Sequence, residues 1–157
     1  MFAESEAQVI GIRPKGKWPL LLAVPEQSLS TEAARRVLPA QYSRADAVVN
    51  VQNSMLLLAA FTQGHPELLS AALEDRIHQP YRAPLCPLLP CLQELTGKEG
   101  VLGVALSGAG PSVLVFLDHR IPAQKIRKAV ASHLSQHGLS AELVSTSITP
   151  QGARTKL

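Results

Sequence analysis

The sequence has little cysteine, few aromatic residues and no long hydrophobic run. Two cysteines in 157 residues are too few for the disulfide framework of a small secreted domain. The longest uninterrupted apolar run, residues 55–61, is too short to cross a bilayer. Aromatic residues make up only 4%, and no basic run is interleaved with them, as single-strand binding requires. These absences predict a protein that binds neither a membrane nor nucleic acid.

Charge is also sparse, with 15 Lys and Arg against 12 Asp and Glu, a net charge of +3. The hydrophobic share of 46% is ordinary for a folded domain and excludes disorder and a coiled coil. We therefore expect one domain over residues 1–157, with a connecting segment at about 1–19 and a tail at 149–157. The first residues carry acids where a signal peptide would carry bases, which predicts a cytoplasmic protein.

Apolar runs and helical periodicity predict four strands and several helices. The strands are short apolar runs at 20–24, 101–106, 113–117 and 143–148. In the second of them, strict alternation would place Leu102, Val104 and Leu106 on one face. Between the first two strands, Ser30 can cap a helix at 31–38, and a longer helix runs from Ser43 to a stop at Gly64.

Further helices follow from proline positions and apolar spacing. In the long helix, an apolar stripe recurs at Val48, Val51, Met55 and Leu58. Shorter helices are expected from Pro66 with a stripe to Ile77, from Pro90 to Gly97, and from Pro122 to Gly138. Without the extra helices the order is βαββαβ, which predicts an α+β, ferredoxin-like four-stranded antiparallel sheet with helices packed on one face.

A glycine-rich turn between the second and third strands is the first candidate for function. It consists of Ser107, Gly108, Ala109, Gly110, Pro111 and Ser112. Glycines allow the backbone to approach a ligand, and free amides there could face an anion. The turn lacks the lysine of a P-loop and leads into a strand, so a purely structural hairpin turn is an equal alternative.

Two arginines in polar turns are the second candidate. Arg35 lies on the short helix capped by Ser30, and Arg82 follows a proline in the segment HQPYR. A guanidinium binds a carboxylate or phosphate through two parallel hydrogen bonds, and a proline-fixed loop can aim it. The alternative for any single arginine is a surface ion pair.

No metal site is expected from the sequence. Cys86 and Cys91 could be imagined as ligands together with His78, but their spacing is unusual and a fourth ligand is missing. They are interpreted as buried, inert thiols. His133 and His137 lie one helical turn apart, and a solvated helix end explains that spacing equally well.

Four segments of the sequence carry a resemblance: STEAARRVLPAQY at 30–42, HQPYR at 78–82, LSGAGPS at 106–112 and GAR at 152–154. Taken together, they resemble bacterial homoserine kinases of the GHMP kinase superfamily. The resemblance implies a C-terminal domain of the GHMP kinase type, and ATP- and Mg²⁺-dependent phosphorylation of L-homoserine to O-phospho-L-homoserine in threonine biosynthesis. It implies that Arg35 and Arg82 bind homoserine and that the turn at 107–112 lines the cleft.

The sequence also departs from this family. The ATP-binding pattern Pro-x-x-x-Gly-Leu-Gly-Ser-Ser occurs nowhere in the 157 residues, and phosphoryl transfer depends on neutralising phosphate charge. We therefore expect no catalytic residue in this chain and no activity in isolation. A separate N-terminal kinase half or a second copy of the chain are the expected partners. The alternative function is a non-catalytic amino-acid-binding or regulatory ferredoxin-like module.

Overall fold

The computed structural model describes residues 11–149 of the chain. The first ten residues of the predicted connecting segment and residues 150–157 of the predicted tail lie outside this range. Within it, no helix combines the length and the apolar character needed to cross a membrane.

Four strands form one antiparallel sheet, as predicted. They are β1 (Pro19–Val24), β2 (Val101–Leu106), β3 (Val113–Leu117) and β4 (Glu142–Ser147). Their order across the sheet is β2-β3-β1-β4, and each neighbouring pair is antiparallel. This is the strand order of a split βαβ, ferredoxin-like sheet, which confirms the predicted fold class.

The first two helices begin at their predicted caps. Helix α1 (Thr31–Arg36) starts at Ser30, whose hydroxyl accepts a hydrogen bond from the Ala33 amide. Helix α2 (Arg44–Gln63) starts at Ser43, which accepts from the Asp46 amide at 3.0 Å. It ends at Gly64, whose φ of 79° is a left-handed conformation that glycine adopts at low cost.

The segment between α2 and β2 is more broken than the sequence predicts. A 3-10 turn (Pro66–Leu68) leads into α3 (Leu69–Ala72), which ends well before Ile77. Then follow α4 (Gln79–Arg82), a second 3-10 turn (Ala83–Leu85) and α5 (Leu88–Gln93). Pro90 lies inside the first turn of α5 because amides there need no helical partner. The prediction that this helix starts after Pro90 and ends at Gly97 is therefore wrong.

Helices cover both faces of the sheet, so the prediction that they pack on one face is wrong. Alternate strand residues point to opposite sides and form two separate clusters. On one side Leu21 and Val115 pack with α5 and with α6 (Ala123–Gln136). On the other side Leu20 and Phe116 pack with the end of α2 and with α3.

Strand β2 does not alternate as predicted, because its register against β3 shifts between Val101 and Gly103. Val101 and Val104 consequently belong to one core cluster, and Leu102 packs against the other. Gly103 allows α3 to approach this strand closely. A Cβ there would lie 2.7 Å from Leu73 Cδ1 and 3.2 Å from the Leu69 carbonyl oxygen.

The predicted apolar stripe of α2 faces away from the core. Val48, Val51, Met55 and Leu58 are between 39% and 65% exposed. The helix reaches the core through Leu57, Ala60 and Phe61 near its C-terminal end. The spacing predicted the helix correctly but not its buried side, because a second set of apolar residues occupies that side.

Candidate functional site

One cleft of about 530 Å³ brings together most of the sequence-predicted site residues. Segments from α1, α4, the end of β2 and the glycine turn form its walls, together with the loop that precedes α4. The lining residues are Thr31, Arg35, Asp75, His78, Gln79, Arg82, Ala105, Leu106, Gly108 and Ala109. Arg35, Arg82 and the glycine turn, which the sequence places far apart, thus share one site.

Arg82 lines this cleft and is buried, with only 8% of its surface exposed. Its Nε donates to the Ala34 carbonyl oxygen at 3.0 Å, and its Nη1 donates to the Gly108 carbonyl oxygen at 3.4 Å. A guanidinium has five N–H donors, so three remain after these two bonds. Arg82 therefore joins α1 to the glycine turn and still has donors for a ligand.

Arg35 follows Ala34 in the chain and lies exposed at the rim of the same cleft. Within residues 11–149, its guanidinium takes part in no ion pair or hydrogen bond, whereas the adjacent Arg36 pairs with Glu32 at 3.4 Å. The surface ion pair that would explain Arg35 without a ligand is absent from this part of the chain. The N–H groups of the Arg35 guanidinium are therefore available to bind an anion.

Asp75 shapes the loop that precedes α4. Its carboxylate accepts from the amides of Ile77 at 2.8 Å, His78 at 3.0 Å and Gln79 at 2.6 Å. Burial by itself raises the pKa of Asp75, but these backbone hydrogen bonds outweigh burial and hold that pKa below its ordinary value. The ionised carboxylate thus fixes the start of the helix that carries Arg82.

Two asparagines of α2 hold the same loop from the other side. The Arg76 amide donates to Asn50 Oδ1 at 2.7 Å, and Asn53 Nδ2 donates to the Glu74 carbonyl oxygen at 2.9 Å. The sequence reading missed both residues. The available signal was polar amides inside a helix, where they are poor helix formers and often bind neighbouring backbone.

Gln79 connects α4 to the sheet. It is buried, its Nε2 donates to the Leu73 carbonyl oxygen at 3.1 Å, and its Oε1 accepts from the Leu106 amide at 3.1 Å. These bonds fix the distance between the end of α3, the start of α4 and the end of β2. Gln79 is a further positioning residue that could not be identified from the sequence.

The glycine turn is closed by hydrogen bonds from the Ser107 amide to the Ser112 carbonyl and from the Gly110 amide to the Ser107 carbonyl. Gly110 has a φ of 87°, and a Cβ there would lie 2.8 Å from Cys86 Sγ. In the described part of the chain, the Gly108 and Ala109 amides donate no hydrogen bond. Gly108 and Ala109 both line the cleft, so its wall includes two amides without a hydrogen-bond partner among the described residues.

The other four residues of the predicted turn do not line this cleft. Ser107, Gly110 and Ser112 shape the turn, and Pro111 lines a different cavity that also includes Cys86. Cys86 and Cys91 are buried, as predicted, and burial raises the pKa of both thiols. His78 lines the cleft, whereas Cys86, with which it was considered and rejected as a metal ligand, does not.

The charges of the cleft favour an anionic ligand rather than a divalent cation. Arg35, Arg82 and two free amides are donors, and Asp75 is the one carboxylate among its described lining residues. Because the oxygens of Asp75 already accept backbone hydrogen bonds, these residues do not fit the oxygen-rich shell of Mg²⁺. The arrangement can bind and orient a carboxylate or a phosphate.

Residues 57–136 match the family described as GHMP kinases C terminal. The homoserine kinase of Deinococcus radiodurans is 39% identical over 143 residues, which cover 91% of this chain and 47% of that protein. The homoserine kinase of Solibacter usitatus is 44% identical over 133 residues, 85% of this chain and 43% of its own length. This chain thus spans about half the length of the curated relatives it matches.

The fold is also found in a solved structure. The crystal structure of homoserine kinase from Cytophaga hutchinsonii superimposes with a TM-score of 0.82 at 24% identity, over 92% of this chain and 46% of that one. At that identity the likeness shows the shared fold. With the matching family model and the antiparallel sheet, it leads to one conclusion: the chain belongs to the GHMP kinase C-terminal domain family.

Proposed function

We propose that this chain is the substrate-binding half of a homoserine kinase, which transfers phosphate from ATP to the hydroxyl of L-homoserine. The product is O-phospho-L-homoserine, the precursor of threonine, and the compartment is the cytoplasm. The observation that carries the proposal is the convergence of Arg35, Arg82 and the free amides of the glycine turn on one cleft. The curated relatives named homoserine kinase support the same substrate.

The carboxylate of homoserine is the group that this cleft recognises. The guanidinium of Arg35, which has no partner among the described residues, can donate two parallel hydrogen bonds to the carboxylate oxygens. Arg82 adds donors from a buried position that its bond to Ala34 holds in place. The amides of Gly108 and Ala109 add to this set of donors, and among the described lining residues the one carboxylate, Asp75, already accepts backbone hydrogen bonds. Holding the substrate at its carboxylate fixes the position of its hydroxyl, which is how positioning accelerates a transfer reaction.

The remaining chemistry belongs to a nucleotide-binding half. ATP and Mg²⁺ supply the phosphoryl group and neutralise its charge, but the cleft residues described above do not form a Mg²⁺ shell, and the sequence lacks the family's ATP loop. In this proposal the 157 residues bind and orient homoserine. Turnover requires that a region carrying the ATP loop complete the site.

Calorimetric titration of the chain with L-homoserine tests the proposed substrate. We expect saturable binding that Arg35→Ala weakens at least tenfold, since it removes a charged bidentate contact. Arg36→Ala is the matched control, because Arg36 is the neighbouring exposed arginine and pairs with Glu32 instead. The amino alcohol that lacks the carboxylate, 3-aminopropan-1-ol, should not bind.

Two results would contradict the proposal. Equal affinity of the wild-type chain and Arg35→Ala would remove the carboxylate assignment. ADP release at a normal rate by the isolated chain, with homoserine and Mg-ATP, would show that these residues contain a complete phosphoryl-transfer site.

One observation favours a second candidate function, a non-catalytic amino-acid-binding or regulatory module. Among the described cleft residues, no carboxylate is free to accept a proton from the substrate hydroxyl. If homoserine binds but a supplied nucleotide-binding half from a homoserine kinase produces no turnover with this chain, the regulatory module is the better description.

A further inference from the structure

Four potential metal ligands converge where α5 packs against α6, away from the proposed cleft. Cys91 lies on α5 and Glu94 caps its end, while His133 lies in the last turn of α6 and His137 caps the end of that helix. The ligand atoms of Cys91, His133 and His137 all lie within 4.8 Å of one another. None of the four residues lines the cleft, so this inference does not depend on the proposed kinase function.

The distances between the ligand atoms approach those of a metal site. Glu94 Oε2 lies 3.6 Å from His133 Nε2 and 3.6 Å from His137 Nε2. Tetrahedral zinc with bonds of about 2.0–2.1 Å to nitrogen and oxygen separates these ligands by about 3.3 Å. The separations between Glu94 and the two histidines are thus close to that spacing, and Cys91 Sγ lies within 4.8 Å of a ring nitrogen of each histidine.

The hydrogen bonds around His137 already favour metal binding at its Nε2. Its Nδ1 lies 2.9 Å from the His133 carbonyl oxygen, and because a carbonyl can only accept, Nδ1 carries the proton. In the neutral tautomer that this hydrogen bond favours, Nε2 carries no proton, and it lies 3.6 Å from Glu94 Oε2. In metal-bound histidines, the ring nitrogen that does not bind the metal usually donates to a backbone carbonyl or a carboxylate.

We propose that Cys91, Glu94, His133 and His137 bind one Zn²⁺ ion. One thiolate, two imidazoles and one carboxylate are ligands that zinc accepts in tetrahedral geometry. On binding, the Cys91 thiol releases its proton to solvent. His133 gives up its Nε2 hydrogen bond to the Cys91 carbonyl. The Nε2 proton passes to solvent and Nδ1 takes one up, so that the neutral imidazole binds the metal through Nε2. The side chains of His137 and Glu94 are 41% and 57% exposed and leave a route for the ion.

The site would link the two helices that cover one face of the sheet. Cys91 belongs to the core cluster that also contains Val130 and Leu134 of α6. An ion bound from both helices stabilises only the folded state, because the unfolded chain does not hold the four ligands together. The inferred role is structural, and the melting temperature should rise with zinc concentration.

Cobalt and zinc titrations of tag-free, chelator-treated protein test the site. We expect one equivalent of Co²⁺ to give intense visible bands of tetrahedral cobalt and a thiolate-to-cobalt charge-transfer band in the near ultraviolet. Zn²⁺ should displace the cobalt at the same stoichiometry. His137→Ala should weaken zinc binding at least tenfold, and Cys91→Ala should remove the charge-transfer band.

His65→Ala is the matched control, since His65 is an exposed histidine beside a glutamate on another part of the surface. It should leave zinc affinity unchanged. Because Cys91 is buried, Cys91→Ala could fail to fold, and the half-exposed His137 then decides the question. The proposal is overturned if one equivalent of zinc does not bind, if His137→Ala binds zinc as the wild type does, or if cobalt binds without a thiolate band.

Discussion

Arg82 donates a hydrogen bond from Nε to the carbonyl oxygen of Ala34, 48 residues earlier, at 3.0 Å. The same guanidinium reaches the Gly108 carbonyl oxygen at 3.4 Å. The resemblance to homoserine kinases implies that Arg82 binds substrate. The structure shows that Arg82 also connects α1 to the glycine turn. This double role means that variants of Arg82 report on stability and on binding at once.

Arg82→Ala should lower the free energy of unfolding by about 1–3 kcal/mol, because it leaves the buried Ala34 carbonyl without its donor. Arg35→Ala should change it by less than about 0.5 kcal/mol, since Arg35 is exposed and unpaired in the described chain. Urea unfolding of the two variants and the wild type measures the difference. Equal stability of both variants would show that the bond to Ala34 contributes little.

Arg82→Lys should separate binding from chemistry in an enzyme completed with a nucleotide-binding half. Lysine keeps the positive charge but loses the planar fork that binds carboxylates through two bonds. We expect the KM for homoserine to rise at least tenfold while the KM for ATP changes little. Steady-state kinetics with each substrate varied in turn measure both constants, and an equal rise in both would contradict a carboxylate-binding role.

Asp75 should make the free energy of unfolding depend on pH in the acid range. Its folded pKa lies below its ordinary value, so the ionised carboxylate stabilises the fold above that ordinary value, and the contribution is lost as pH falls through the lowered pKa. Asp75→Asn removes the charge but keeps an acceptor for one amide. Thermal melts between neutral and acid pH should show a smaller acid loss in this variant than in the wild type.

Asp118 provides an independent test of the same principle outside the cleft. Side-chain and backbone hydrogen bonds from Arg120 lower the pKa of Asp118 to about 2. Its stabilising contribution is therefore complete above its ordinary pKa of 3.8 and is lost as pH falls through about 2. Carbon-detected NMR titration should show this pKa rising in Arg120→Ala, though not fully, because the residue 120 amide still donates. An unchanged value would exclude Arg120 as the cause.

The exposed stripe of α2 should tolerate polar substitution. Met55 is 61% exposed, so Met55→Lys should change the free energy of unfolding by less than about 0.5 kcal/mol. Leu69→Ala removes a fully buried side chain of α3 and should cost about 2–5 kcal/mol. Chemical unfolding of both variants compares them directly. A large loss in Met55→Lys would mean that the stripe contributes to the core after all.

The elements with strong local signals could be predicted from the sequence. Serine caps at Ser30 and Ser43, the glycine stop at Gly64 and the apolar runs of β2 and β3 lie where predicted, because capping and strand formation depend on neighbouring residues. Local motifs also indicated Arg35, Arg82 and the glycine turn as a candidate site.

Only the tertiary structure decided which side of each element is buried and which distant residues meet. Helix α2 carries apolar residues on more than one side, so its spacing could not identify the exposed face. The hydrogen bonds of Asn50, Asp75 and Gln79 depend on a loop that no periodic pattern describes. Cys91 and His133 are 42 residues apart and meet because two helices pack on one sheet face, a contact that no local spacing encodes.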